Sequence, residues 1–246
     1  MERRDQVEID MAADGRNGRR AVALSPQRII EASLELLESD GPDKFTFRAL
    51  GARLGADPTA VYRHFRDKDD LLLAIADELL ARTLESFEPT ADWRETLRTL
   101  CLRMRKVYLA HPHTAVLATI RTTRRPAEMR AVELILSALT QAGFSPDRAV
   151  YYYRALADFA LSWSCMAATY AALDAGARSG DESAWGREYA LAPAQRYPHL
   201  AAAAPYLPEV DEEENFVLAL DLMLEAIAAR AANTGTEEGG GRTPAS

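Results

Sequence analysis

The chain has 246 residues, of which 48% are apolar and 27% charged, enough to bury one large core or two small ones. Its formal net charge of −8 argues against unspecific coating of nucleic acid, which needs a broadly basic protein, but leaves room for a local basic patch. No uncharged apolar run reaches the ~18 residues that a membrane-spanning helix requires.

Residues 1–24 predict a disordered arm, because charged and polar residues occur throughout it with few large apolar groups. The arm also lacks the apolar segment of a secretory signal. Its arginines and acids balance, and the arginines nearest the next segment are Arg16, Arg19 and Arg20. At the other end, residues 233–246 are rich in Gly, Thr and Glu and predict a disordered tail.

Four helices are predicted after the arm, over residues 25–40, 46–55, 57–65 and from 67 past 81. Each begins at a residue whose side chain can cap a helix, and two of these residues are followed by proline at the first helical position. The capping residues are Ser25, Thr46, Asp57 and Asp67.

Longer helices are predicted over residues 92–110, 112–121, 127–142, 146–175 and 212–232, where apolar residues recur at helical spacing. The Pro-, Gly- and Ala-rich stretch 180–210 predicts a loop with short helical turns. Since no strand alternation and no internal repeat is present, the sequence predicts an all-α fold.

Residues 46–65 form two short helices joined by a tight glycine turn, which is the helix-turn-helix pattern. Such a unit places its second helix in the DNA major groove. Leu50, Leu54 and Val61 provide its small predicted core. The polar and aromatic side chains on the second helix have little protein to pack against, so we expect them to contact DNA.

The predicted DNA contacts divide by chemistry. Arg48 can reach guanine O6 and N7, and Thr59 and Ala60 can offer methyl groups to thymine. Hydrogen bonds to phosphates are expected from Tyr62, His64 and Lys68. The residues alone leave another interpretation open, in which Arg63 and Lys68 are a solvated face and His64 is a structural histidine.

From residue 25 to about residue 80 the sequence resembles the N-terminal domain of the TetR family of bacterial transcriptional regulators. The resemblance rests on "RIIEASLELLESDGPDKFTFRALGARLGADPTAVYRHFRDKDDLLLAI", with its Leu-Gly turn and its Tyr-x-His-Phe close. It implies an all-α homodimer with an N-terminal three-helix helix-turn-helix DNA-binding domain, placed at 25–70. A larger C-terminal helical ligand-binding and dimerisation domain would follow, placed at 71–232. The positions that the family uses against DNA are Thr46, Arg48, Pro58, Thr59, Ala60, Tyr62, His64 and Lys68. Arg63 departs from the aromatic residue that some members have there, so the operator sequence stays open.

The helix predicted over 146–175 has one stripe of large apolar residues and one of small residues, including Ala160 and Ser164, that would suit close helix approach at a dimer seam. The helix over 212–232 is apolar around most of its circumference. Paired with its copy and with the 146–175 helix, it predicts a four-helix dimer interface. The alternative is a helix buried within one subunit.

The C-terminal helices also contain residues that could line a pocket for a small hydrophobic effector: Cys101, Met104, Tyr108, Asp158, Phe159, Ser162, Trp163 and Met166. Asp158 is placed among apolar residues, where a carboxylate needs either an arginine or a cationic ligand. The Met and aromatic residues could instead be plain core. His111 and His113 are too few for a metal site, so neither metal nor cofactor is expected.

No enzyme is expected, because G-x-S-x-G, P-loop, G-x-G-x-x-G and H-E-x-x-H motifs are all absent. Two distant cysteines suit a reducing cytoplasm. The predicted function is a ligand-responsive repressor that acts as a homodimer on a palindromic, double-stranded operator and is released by a small effector. The alternative is a DNA-binding regulator without a ligand, whose C-terminal domain is packed solid.

Overall fold

Helices form all the regular secondary structure in this computed structural model, which describes residues 24–119 and 121–237, with the backbone alone over 233–237. The predicted all-α fold is confirmed within these residues. The helices are α1 (Pro26–Asp40), α2 (Phe47–Leu54), α3 (Pro58–Val61), α4 (Lys68–Leu84), α5 (Trp93–Ala110), α6 (Pro112–Ala118), α7 (Pro126–Gln141), α8 (Pro146–Ala171), α9 (Ala175–Arg187), α10 (Pro198–Ala203) and α11 (Glu212–Glu237). Within that part of the chain, no helix has the length and apolar character to span a membrane.

The four predicted capping residues are confirmed. The side chains of Ser25, Thr46, Asp57 and Asp67 accept hydrogen bonds from the backbone N–H groups of Arg28, Ala49, Thr59 and Asp70, respectively. Each such bond satisfies one of the N–H groups that a helix leaves without an internal partner. These local signals explain why the first residues of α1, α2, α3 and α4 match the predicted starts.

Four helix ends differ from the prediction by three residues or more, and one of them is that of α8, which ends at Ala171 rather than at residue 175. Regular α3 stops at Val61 rather than near Phe65, because the N–H of His64 bonds the Val61 carbonyl at 3.0 Å in a tighter turn. Helix α6 ends at Ala118 rather than at residue 121. Helix α11 continues to Glu237, beyond the predicted end at 232. Residue 24, the last of the predicted arm over 1–24, packs against the apolar cluster, while the rest of the predicted arm, 1–23, and the rest of the predicted tail, 238–246, lie outside the described residues.

The stretch predicted as a loop is more helical than its composition indicates. Helix α8 ends at Ala171, and Asp174 then caps α9, accepting from the N–H groups of Gly176 and Ala177. Stacking of Trp185 on Tyr189, with ring centroids 4.4 Å apart, helps to stabilise this glycine-containing helix. The remainder holds α10 and two 3-10 turns, Tyr189–Leu191 and Ala204–Glu209.

Helix α4 connects the two halves of the molecule. It packs against α1 on one side and against α5, α6 and α7 on the others. Leu71, Ile75 and Leu79 are almost fully buried along it. Since one apolar cluster runs through α1–α3 and α5–α8 alike, a displacement of α4 must be felt on both sides.

Two carboxylates reinforce this connection by capping helices of the other half. Glu38 in α1 accepts from the N–H groups of His113 and Thr114, at 3.2 and 3.0 Å, at the start of α6. Asp77 in α4 accepts from the N–H groups of Ala127 and Glu128, at 3.2 and 2.9 Å, at the start of α7. Carboxylates at helix N-termini form charge-assisted hydrogen bonds and complement the helix dipole.

We expect Gly51→Ala to lower the free energy of unfolding by about 1–3 kcal/mol, because overpacked sites are strained. A Cβ on Gly51 would lie 2.9 Å from the carbonyl oxygen of Ala56, on the turn that joins α2 to α3. Urea denaturation monitored by circular dichroism measures the change. Gly180→Ala in α9 is the matched control, since a Cβ there meets nothing within 4 Å. Equal stability of the two variants would contradict the steric argument.

Candidate DNA interface and effector cavity

The turn between α2 and α3 fixes the angle of the helix-turn-helix unit. Gly55 has φ 62° in the left-handed region, where glycine carries no Cβ penalty. The N–H of Ala56 donates to the Gly51 carbonyl at 2.9 Å. Leu50 and Val61 are fully buried and Leu54 is half-buried, so the predicted internal core is confirmed. Thr59 of α3 and the polar residues that follow the helix are thereby turned outward.

The structure leaves the predicted DNA-contacting side chains accessible. Pro58 and Ala60 are half-buried, and the remaining seven are exposed: Thr46, Arg48, Thr59, Tyr62, Arg63, His64 and Lys68. The Tyr62 ring packs edge-on against Phe47 at a centroid distance of 4.6 Å. This contact brings the start of α2 and the end of α3 together, so that both can face the same ligand.

Thr59 is oriented by Asp57. Its hydroxyl donates to Asp57 Oδ1 at 2.6 Å, and its N–H donates to the same atom at 2.8 Å. These hydrogen bonds, the side-chain one first, lower the pKa of the Asp57 carboxyl. Because the hydroxyl proton is engaged, Thr59 can meet a base through its methyl group or through its hydroxyl oxygen as an acceptor.

Lys68 is held at the base of the unit. Its Nζ donates to the Phe45 carbonyl at 2.8 Å and lies 5.2 Å from the centroid of the Phe45 ring. An ammonium has three N–H donors, so two stay free for a phosphate. The backbone N–H groups at the start of α4 are partly used, since that of Asp70 donates to Asp67.

The first turn of α4 carries acids that pair with arginines. Arg66 bonds Asp67 at 2.9 Å. Arg121 donates to both oxygens of Asp69, at 2.7 and 2.9 Å, and this hydrogen bonding is the main cause that lowers the pKa of Asp69. Arg125 bonds Asp70 at 2.6 Å.

The loop of residues 121–125, which we name the arginine loop, was not predicted from the sequence. It precedes α7 and supplies both Arg121 and Arg125 to the α4 turn. Its signal in the sequence is the cluster "RTTRRP" downstream of the acidic "DKDD". Complementary charges alone do not specify which arginine meets which acid, so the pairing required a structure.

A cavity of about 100 Å³ lies among α4, α5, α7 and α8. Most of its wall is apolar, with Leu80, Leu100 and Ile135 among the lining residues. One edge is polar and consists of Thr119, Arg121, Thr123 and Glu128. The arginine loop is therefore a wall of the cavity as well as a clamp on α4.

Three of the predicted effector-binding residues, Cys101, Met104 and Tyr108, line this cavity from α5. Burial raises the pKa of the Cys101 thiol to about 12 and raises that of the Tyr108 hydroxyl as well. Both side chains are therefore neutral at physiological pH. Their role in binding stays a prediction.

Two family models match the chain in succession. The model described as bacterial regulatory proteins, tetR family, matches residues 29–75. The model described as tetracyclin repressor-like, C-terminal domain, matches residues 87–231, more than half of the chain. The chain belongs to the TetR family. The resemblance noted in the sequence is thus confirmed, whereas the domain boundary placed between 70 and 71 stays a prediction.

Transcriptional regulators are among the relatives of this TetR-family chain. Tetracycline repressor protein class A from Escherichia coli is 31% identical over 211 residues, which cover 84% of this chain and 92% of that one. An HTH-type transcriptional regulator from Saccharopolyspora erythraea is 33% identical over 121 residues, so the match spans about half the length of each protein. ActR from Streptomyces coelicolor, solved in complex with actinorhodin, shares the fold with a TM-score of 0.74 and 24% identity, over 85% of this chain and 98% of ActR.

The other predicted effector-binding residues lie away from the cavity. Phe159 and Trp163 pack against Phe216 of α11, with centroids 5.9 Å from its ring. Ser162 and Met166 line an open groove of about 510 Å³ on the outer side of α8.

Two expectations about α8 are wrong for the protomer. The Asp158 side chain is 61% exposed rather than set among apolar groups, and it pairs with Arg154 one helical turn away. Ala160 and Ser164, expected at a dimer seam, are buried inside the protomer. Both errors concern which face of α8 is turned towards the core of the protomer. The helical period does not decide this, because either the stripe of small residues or the stripe of large apolar residues can face a core. Among the described residues, no three His, Cys, Asp or Glu side chains form a metal-binding group.

We expect the Cys101 thiol to react with a maleimide roughly a thousandfold more slowly in the folded protein than in urea at pH 8, because the thiolate is the nucleophile. Burial raises the pKa of this thiol to about 12. The measurement uses Cys165→Ser, in which Cys101 is the single thiol of the chain. Cys101→Ser is the control that reports on Cys165. Similar rates in the folded and unfolded states would show that the cavity is open to solvent.

Proposed function

We propose that the protein is a ligand-responsive transcriptional repressor that binds a palindromic operator as a homodimer and releases it when a small hydrophobic effector occupies the cavity. The observation that carries this proposal is the shared position of Arg121, which lines the cavity and also clamps the first turn of α4 beside the helix-turn-helix unit. Such a protein acts on chromosomal DNA in the cytoplasm and is not an enzyme.

On the DNA side, α3 would lie in the major groove, with Arg48, Thr59 and Ala60 at base edges. Tyr62, Arg63, His64 and Lys68 would contact phosphates or, for Arg63, a base. Two copies related by a twofold axis would read half-sites about 34–36 Å apart. Since both copies must fit at once, a small change in their separation lowers affinity.

Support for a homodimer comes from α8 and α11, which pack side by side. Each presents large apolar side chains to solvent, and more than half of the surface of Tyr151, Met166, Leu218 and Leu222 is exposed. A contiguous exposed apolar face typically marks an interaction site. The twofold partner of this face is the same face of a second copy, which would form a four-helix interface.

The effector is proposed to be apolar with one polar edge, to match the cavity. A drug-sized ligand needs roughly 300–1,000 Å³, and an apolar cavity of about 150 Å³ holds benzene. The observed 100 Å³ is smaller than either, so binding requires that a wall move. That small volume also favours the second candidate, a regulator with no ligand. ActR, which shares this fold, binds actinorhodin.

The decisive experiment selects bound DNA from a genomic pool at near-physiological salt, using protein unfolded and refolded to remove any ligand. We expect a palindromic site. If folded protein enriches no motif after this treatment, the proposal fails. A motif whose binding resists every compound in a screen of apolar molecules would favour the regulator without a ligand.

In the same selection, Arg48→Ala is expected to relax the preference at one base pair of each half-site and to cost ~1–3 kcal/mol on matched DNA. Lys68→Ala should weaken binding to all sequences and lower the salt slope by ~1, because it removes a phosphate contact. Equal losses from both variants on matched and mismatched DNA would refute the assigned roles.

We expect Leu222→Arg to convert the dimer to a monomer, since it places a charge in the centre of the proposed α8–α11 interface. Analytical ultracentrifugation at micromolar concentration measures this. Leu191→Arg is the control, because Leu191 is 82% exposed in the segment between α9 and α10. Loss of the dimer in both variants, or in neither, would argue against this interface.

A further inference from the structure

The first turn of α4 poses an electrostatic problem for a DNA-binding surface, and the argument here rests on the proposed function. Residues 66–70 contain two basic side chains, Arg66 and Lys68, and three acidic ones, Asp67, Asp69 and Asp70, so their net charge is −1. Lys68 is itself a predicted phosphate contact. The Asp69 carboxylate is more than half exposed. Charges within a Debye length of about 8–10 Å act on one another in solution, so these acids would repel the DNA backbone.

The arginine loop cancels that repulsion. Arg121 holds Asp69 through two parallel hydrogen bonds, and Arg125 holds Asp70 through one of 2.6 Å. With these two guanidinium groups in place, the net charge of the turn becomes positive by one. Two-point contact between a guanidinium and a carboxylate also fixes the direction of approach.

The arginine loop is held by polar bonds rather than by a helix. Thr123 donates to Asp77 at 3.0 Å, and the N–H of Arg124 donates to Glu128. Arg124 has φ 59°, a left-handed conformation that is uncommon for a residue with a Cβ. The facing cavity walls are helices packed in the apolar core. Of the cavity's walls, the arginine loop is therefore the one that can shift with the least loss of packing.

We propose that the arginine loop is an electrostatic cover for the first turn of α4. When the loop is seated, Arg121 and Arg125 neutralise Asp69 and Asp70 and the DNA backbone can approach. When an occupant of the cavity displaces the loop, the two carboxylates are uncovered and repel the phosphates. Release from DNA then includes a change of charge at the interface, in addition to any change in the spacing of the two recognition helices.

A charge cycle on the operator tests this proposal. The variants are Arg121→Ala, Asp69→Asn and the double variant, with affinity measured by fluorescence anisotropy from ~50 to ~300 mM salt. We expect Arg121→Ala to weaken binding about threefold to tenfold at low salt, as an uncovered charge near phosphates should. Asp69→Asn should bind as tightly as the wild type or more tightly. The double variant should return to within about twofold of the wild type.

Two other roles for Arg121 give different results, and either would overturn the proposal. If the pair were only a mechanical clamp, Asp69→Asn would weaken binding as much as Arg121→Ala, and the loss would persist at high salt. If Arg121 contacted a phosphate directly, the double variant would stay as weak as Arg121→Ala. If the arginine loop is an electrostatic cover, the loss of operator affinity caused by Arg121→Ala becomes smaller as salt rises. Adding Asp69→Asn to Arg121→Ala then restores the affinity. Arg125→Ala and Asp70→Asn form a second cycle with the same expectation.

Arg103→Ala is the matched control, because it removes the same charge as Arg121→Ala. Arg103 donates to the Glu85 carbonyl at 2.7 Å and belongs neither to the predicted DNA contacts nor to the proposed α8–α11 interface. Its loss should leave operator affinity unchanged. Failure of the wild type to enrich any operator would refute the proposed function itself. An operator bound tightly by the wild type, with no rescue by Asp69→Asn, would refute the cover alone.

Discussion

The continuous burial of α4 is the constraint on which the rest of the structure depends. Leu71, Ile75 and Leu79 lie in a core shared by the helix-turn-helix unit and the larger helical domain. Close-packed interiors do not deform smoothly, so α4 moves as a rod or not at all. Its first turn contains the predicted phosphate contact Lys68, and its later turns line the cavity. One element therefore has to satisfy the geometry of two sites.

Carboxylates on the DNA-binding side also connect the two halves of the molecule, through hydrogen bonds whose strength depends on direction. Glu38, Asp69, Asp70 and Asp77 all bond to the segment that runs from the start of α6 to the start of α7. Hydrogen bonds weaken steeply when distance or angle is lost, and these bonds lie at the exposed or partly buried edge of the core. A shift of about one ångström in this segment would therefore break bonds before it disturbed the core. Under the proposed function, this segment acts as a latch between the cavity and the predicted DNA-contacting surface.

Local signals in the sequence predicted the fold well because they act over a few residues. Thr46, Asp57 and Asp67 cap the helices that follow them, and the Leu-Gly turn identifies the helix-turn-helix motif. The cavity was only partly predictable. Cys101, Met104 and Tyr108 share the face of α5 that lines it, yet Asp158 faces solvent because nothing in a 3.6-residue period fixes the rotation of α8. The arginine loop escaped prediction because its pairs span about fifty residues, as in the bond from Arg121 to Asp69.

The energetics of the cavity are consistent with a latch that opens. An apolar occupant of the 100 Å³ cavity would remove part of its apolar wall from water, which stabilises the complex by roughly 25 cal/mol per Å² of apolar surface buried. The ion pairs that seat the arginine loop are partly exposed, and exposed pairs contribute little each. Filling the cavity can therefore offset the loss of these pairs, whereas distorting α4 or α8 would also sacrifice buried apolar contacts. Displacing the arginine loop therefore costs less free energy than distorting α4 or α8.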